Sequence, residues 1–136
     1  MRDRAADEHG MSISVLVLML MGALIATAGL VVDGGQKVTA ATRAETAAAG
    51  ASRAAGNAAA TQQLGGRDSA GAATLAAKAY LAGQPGVSGS VSVSNGIVSI
   101  QTLASEPTIF LSSIGIGQVT GRGQAEANIV PTGGQR

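Results

Sequence analysis

Apolar and polar positions along the chain fall into three stretches of different period. Met11 to Val32 are 22 consecutive positions without a charged side chain, bounded by Glu8-His9-Gly10 and by Asp33. As an α-helix this run reaches roughly 33 Å, enough to cross a hydrocarbon core of about 30 Å. A soluble helix of this composition would need a large apolar core around it. Only 20 Val, Ile, Leu, Phe or Tyr residues follow Asp33, so the pattern predicts a membrane-inserting helix over 11–32. From Gln36 to about Gln63 the chain is rich in Ala, Thr, Arg, Glu and Gln and holds no proline. Helix is therefore predicted to continue outward, weakened locally by Gly50 and Gly56. Val38, Leu64 and Leu75 are the only large aliphatics between Asp33 and Ala79. Such a segment cannot build a core alone. Its alanine face must lean on the C-terminal domain or on neighbouring subunits.

Leu64-Gly65-Gly66-Arg67 reads as a helix stop, one of the two glycines supplying the left-handed position. Asp68 or Ser69 then caps a second helix over about Ala70–Leu81, ended by Gly83-Gln84-Pro85-Gly86. Beyond Pro85 the period becomes two: Val87, Val91 and Val93 alternate with serines up to Asn95-Gly96, a strong hairpin signal. A two-residue loop pairs Ser94 with Ile97, Val93 with Val98 and Val91 with Ile100. Val91, Val93, Val98 and Ile100 then share the inner face, near Tyr80 and Leu81, and Ser92 with Ser99 the outer one. Glu106-Pro107 breaks the strand, and Thr108–Ile116 is expected to be a short hydrophobic plug with a bend framed by Gly115 and Gly117. A third strand is predicted over Gln118–Val130, with Val119, Gly121, Gly123, Ala125, Ala127 and Ile129 on one face, small enough for a helix to approach closely. The fold class is α+β: a single N-terminal transmembrane helix continuing into an Ala-rich stalk, then a small three-stranded antiparallel sheet. The expected divisions are a charged leader (1–10), the membrane helix (11–32), the stalk (33–83), the β domain (84–130) and a tail (131–136).

Composition narrows the chemistry. Alanine and glycine make up 47 of the 136 residues, while Tyr80 and Phe110 are the only aromatics. No cysteine is present, which excludes disulfides and thiolate sites, and His9 is the single histidine. The net charge of +1 gives no basic face for nucleic acid. Gly115-x-Gly117 and Gly121-x-Gly123 lack the spacing of a phosphate loop. Ser69 and Lys78 are nine residues apart on one helix, and the acids stand singly. No catalytic, cofactor or metal site is read, and an enzyme is not expected. Gly22, Ala26, Gly29 and Asp33 lie on one face of the apolar helix as a candidate helix–helix interface. Asp33 there is either an interfacial stop or a partner to a basic group on a neighbouring subunit.

The order of a charged leader ending in Gly10, an apolar helix, Gly29-Leu30-Val31-Val32-Asp33-Gly34-Gly35, an Ala/Arg-rich extension and Pro107-Thr108-Ile109-Phe110-Leu111 resembles TadE/TadG-type proteins of actinobacterial character. Those are pseudopilin-like components of tight-adherence (Flp, type IVc) pilus assembly. The resemblance implies a pilin-like, non-enzymatic membrane protein, a minor pseudopilin or assembly factor of a Tad/Flp-type pilus or related secretion system. It implies membrane lipid, other pilins or pilus-assembly membrane proteins, and a prepilin peptidase as partners. Gly10–Met11 matches the bond such a peptidase cuts. The fifth position after that bond is Val15, where many pilins carry glutamate, and a TadG-like protein that stays in the membrane unprocessed fits the resemblance equally well. A single-pass cell-membrane protein is expected, its C-terminal domain extracytoplasmic, although Lys and Arg counts flanking the span are nearly balanced. The alternative is a secreted binding or adhesion domain released by signal cleavage after Ala28, following Ala26-Thr27-Ala28.

Overall fold

A computed structural model describes residues 4–129, with side chains from residue 13 onward. Helix α1 runs from Arg4 to Leu64, followed by α2 (Ser69–Ala82), β1 (Val87–Ser94), β2 (Ile97–Pro107), a 3-10 turn (Leu111–Ile114) and β3 (Gln118–Asn128). The start of the leader, Val130 and the 131–136 tail lie outside the described residues. The expected apolar helix and stalk form one uninterrupted helix of 61 residues, about 90 Å long at 1.5 Å per residue. No proline interrupts this stretch, and its alanines favour helix enough to carry Gly34, Gly35, Gly50 and Gly56 inside it. At its end, Gly66 takes φ +66°. The Arg67 N–H donates to the Gln62 carbonyl (3.0 Å) and the Gly66 N–H to that of Gln63 (3.1 Å), the paired bonds of a Schellman stop. Asp68 caps α2 by accepting from the Ala70 and Gly71 N–H groups.

The three strands form one antiparallel sheet in the order β1-β2-β3. The hairpin register is the predicted one: Ser94 opposite Ile97, Val93 opposite Val98, Val91 opposite Ile100. Asn95 and Gly96 both take positive φ, 50° and 75°. The twist of the flanking strands demands this of a two-residue turn. The third strand is shorter than predicted, ending at Asn128 because pairing with β2 runs out at Ile97. The Ile129 N–H instead reaches the Gly96 carbonyl (2.8 Å).

The inner sheet face lies on the alanine-rich half of α1, so the stalk is a wall of the domain. Ala40, Ala44, Ala47, Ala48, Ala51, Ala55 and Ala59 are buried along one side of α1. Ala73, Ala77 and Leu81 of α2 are buried in the same core, with Val98, Ile100 and Ile129 from the sheet side. Two expectations are corrected. Val93 faces inward but remains 38% exposed, because β1 is the sheet edge. The 108–116 segment is no plug: Ile109, Phe110, Ile114 and Ile116 are all exposed. They lie beyond the sheet, where the loop turns back against α1.

Ile100 is buried among alanines that cannot move in to fill a gap, so Ile100→Ala should cost about 2–5 kcal/mol. Ser92→Ala, on the solvent face, should leave the thermal midpoint unchanged. Unfolding of the full chain in detergent micelles, followed by circular dichroism, measures both; equal losses would mean that the sheet faces are assigned wrongly.

Candidate functional site: the junction of the long helix and the 108–117 loop

The apolar run of α1 ends at Asp33, and Asp33 is where the C-terminal loop is fastened. Its carboxylate is 1% exposed. The Ile109 N–H donates to Oδ1 (2.8 Å), and the Phe110 and Leu111 N–H groups donate to Oδ2 (3.1 and 2.6 Å). Three consecutive amides at the start of a 3-10 turn have no partner within the turn. Here a carboxylate 76 or more residues away in sequence supplies it. One turn earlier on the same face, Gly29 is buried beneath the Phe110 ring. A Cβ added at Gly29 would sit 2.5 Å from Phe110 Cγ, so only glycine admits the ring at this distance.

The loop closes on itself around these contacts. The Thr108 N–H donates to the Gly117 carbonyl (3.1 Å) and the Ile116 N–H to that of Leu111 (3.0 Å). The Thr108 hydroxyl donates to the Ile116 carbonyl, and the Ser112 hydroxyl to that of Ile109 (2.6 Å). Gly115 makes the return at φ +91°.

Above the junction, polar groups of α1 tie down the strand and loop ends. Lys37 donates to the Thr120 carbonyl. Arg43 pairs with Glu106 at the end of β2 and donates to the Pro85 carbonyl before β1 (2.6 Å). Farther along, Ser52 donates to the Glu126 carbonyl (2.8 Å), and Gln63 to that of Ile129. The strand β3 therefore runs alongside α1 in the same direction.

The hydrogen bond from Ile109 lowers the Asp33 pKa most; burial opposes it, and the Leu111 and Phe110 bonds add to the lowering. The carboxylate thus stays ionised below its ordinary range. Asp33 and Gly29 meet their own chain's loop. Gly22 and Ala26, on the same helix face, remain exposed. Side chains at Gly10 and Met11 lie outside the described residues. No group of three or more His, Cys, Asp or Glu able to hold a metal occurs among the described residues. Sequence reading singled out Asp33 and the Pro107–Leu111 segment separately. It did not join them, because nothing in local spacing reports a contact across 76 residues. The junction is a structural feature, a buried carboxylate fastening three backbone amides of the loop to α1.

Residues 10–61 match the model of a family described as "Putative Flp pilus-assembly TadE/G-like", the family the sequence resembles. The match covers most of α1, including Gly22, Ala26, Gly29 and Asp33, and stops short of α2 and the sheet. No curated protein matches the chain, and no solved structure does.

Asp33→Asn keeps the side-chain shape but loses the charge and one acceptor oxygen. Hydrogen exchange at the Ile109, Phe110 and Leu111 amides should then speed up about tenfold or more near neutral pH. Because the folded carboxyl titrates lower than a free one, its contribution to stability is fully present above the ordinary value of 3.8. It is lost as pH falls from there through the lowered folded value. Wild-type protection at these three amides should fall over that interval. In Asp33→Asn it should not show the same step.

Proposed function

We propose that the chain is a membrane-anchored, non-enzymatic component of a Tad/Flp-type pilus assembly apparatus, acting as a minor pseudopilin or assembly factor. The observation that carries this reading is the match of residues 10–61 to the pilus-assembly family. That segment contains a helix long and apolar enough to cross a membrane, with only 6% of its most apolar window buried. From Ile13 to Ala28 every side chain is exposed. Water would make that surface unfavourable, whereas a bilayer makes it the ordinary state of a spanning helix. In this reading Met11–Val32 crosses the membrane and the domain stands on the extracytoplasmic side. Gly22 and Ala26 give neighbouring pilus-assembly helices a small-residue surface for close approach. Gly10–Met11 is the bond a prepilin peptidase acts on.

A secreted domain beginning at Gly29 fits less well. It would retain the Asp33 junction yet leave Leu30 and Val31, as well as Ile109 and Ile114, exposed to water.

The protein should stay in the membrane fraction through a carbonate wash. Leu24→Arg, near the middle of the span, should weaken insertion by about 2.5–3.5 kcal/mol. Intact mass from the native host then sorts the forms: a first residue of Met1 means a retained anchor, Met11 a processed pseudopilin, and Gly29 a secreted domain, which would overturn the proposal. Deleting the gene should reduce surface pili, with wild-type chain restoring them. Unchanged piliation would reject the assembly role.

A further inference from the structure

We infer that the 108–117 loop is a second membrane contact, resting its apolar side chains in the headgroup and acyl boundary beside the point where α1 leaves the bilayer. The inference rests on the anchor reading above, and its geometry follows from where the loop is pinned. Phe110 lies on Gly29, and the Asp33 carboxylate holds residues 109–111. Gly29 is inside the uncharged run and Asp33 is the first residue beyond it. A helix rise of 1.5 Å per residue puts the two about 6 Å apart along the axis. If α1 crosses the membrane over 11–32, the loop has nowhere else to be but its surface layer.

The composition of the loop suits that layer. Thr108–Gln118 contains no charged residue. Ile109, Ile114 and Ile116 are exposed, Ile114 by 73%, and Phe110, seated on Gly29 by one side of its ring, is exposed on the other. Leu30, Val31 and Val32, exposed apolar side chains of α1, lie between Gly29 and Asp33, at the level where the loop is attached. A soluble domain seldom leaves such a patch uncovered. Irregular backbone is costly at the edge of lipid unless its N–H and C=O groups are satisfied. Here the N–H groups of residues 108–111, 113, 115 and 116 all have acceptors. The carboxylate itself is hidden from lipid by the amides it holds. Lys37, one turn beyond Asp33, places its ammonium at the Thr120 carbonyl, at the level where a basic side chain meets headgroups.

The chain has no cysteine, so single thiols can be introduced without other changes. Full-length Leu20→Cys, Ile114→Cys and Ser92→Cys proteins would each be spin-labelled in vesicles of phosphatidylcholine and phosphatidylglycerol. Collision with oxygen, which concentrates in lipid, is then compared with collision with a water-soluble nickel chelate. All three native side chains are exposed, so the substitutions are compatible with folding. The expected result is oxygen preference at Leu20 and at Ile114, and nickel preference at Ser92. Oxygen preference at Leu20 with nickel preference at Ile114 leaves the anchor standing and overturns the loop contact. Low collision with both reagents at Ile114, together with spin–spin broadening, means that a second copy covers the loop, and also overturns it. Nickel preference at Leu20 rejects the anchor and the loop placement together. Ile116→Cys, labelled in the same way, should repeat the Ile114 result; nickel preference there counts against the proposal.

Discussion

The architecture depends on how closely β3 approaches the backbone of α1. At Gly121 an added Cβ would overlap the backbone of Ala40 and Ala41, and at Gly123 that of Ala44 and Glu45. Strand and helix are therefore in backbone contact, with hydrogen on one side and alanine on the other. This distance lets the Thr102 hydroxyl reach across from β2 to donate to the Ala44 carbonyl (2.7 Å), with the Gly123 carbonyl 3.2 Å away. A threonine could otherwise not be buried beside alanines without leaving its oxygen unpaired. Any side chain larger than hydrogen at 121 or 123 would have to push helix and strand apart along the whole seam.

That close approach explains how a domain with so little apolar volume holds together. Large side chains fill space between elements that stand far apart; here the elements stand near, and methyl groups suffice. Ala73 and Ala77 of α2 meet the alanine face of α1 in the same manner. Tyr80 lies over Gly50, where a Cβ would intrude into the ring. The few bulky core residues, Ile100, Val98, Leu81 and Ile129, are buried in the same cluster as these alanines. Most of the other large aliphatics are thus free to sit on α1 below Asp33 and in the loop beside it. Both groups are exposed. In a soluble protein that distribution would be unfavourable; in one with a membrane at its base it places apolar surface where apolar solvent is.

How much of this could be read from residues alone differs by element. The hairpin was legible in full because Asn-Gly fixes the turn and the valine–serine alternation fixes the faces. The helix stop at Gly65-Gly66 and the cap at Asp68-Ser69 were legible to within one residue because both are local backbone chemistry; the structure selects Gly66 and Asp68. The small residues of β3 announced a helix neighbour, although they did not say which residues of α1 it would meet. The loop, expected as a short helical or irregular hydrophobic plug, contains the short helical turn but leaves its apolar side chains exposed. A run such as Ile109-Phe110-Leu111 has the composition of a core, and composition does not distinguish a buried run from an exposed one. Val93 was placed on the correct face but given too much burial, since alternation reports the face and not the distance from the sheet edge. The Asp33 junction was invisible for a third reason: each half looks ordinary, and only the folded topology brings them together.

Asp33 resolves two difficulties that would each be costly alone. A carboxylate at the end of an apolar span must be hydrated or paired, and a turn opening with three free amides must be capped. Joined, each satisfies the other, with no basic side chain involved. Two oxygens are needed, since the three N–H groups divide between Oδ1 and Oδ2. The short aspartate stem also holds the loop close enough for Phe110 to reach Gly29. Because Lys37, Arg43, Ser52 and Gln63 continue the attachment along α1, the domain is fixed to its helix from base to top. A tilt or rotation of the apolar segment would therefore be carried into the orientation of the sheet rather than absorbed in a linker.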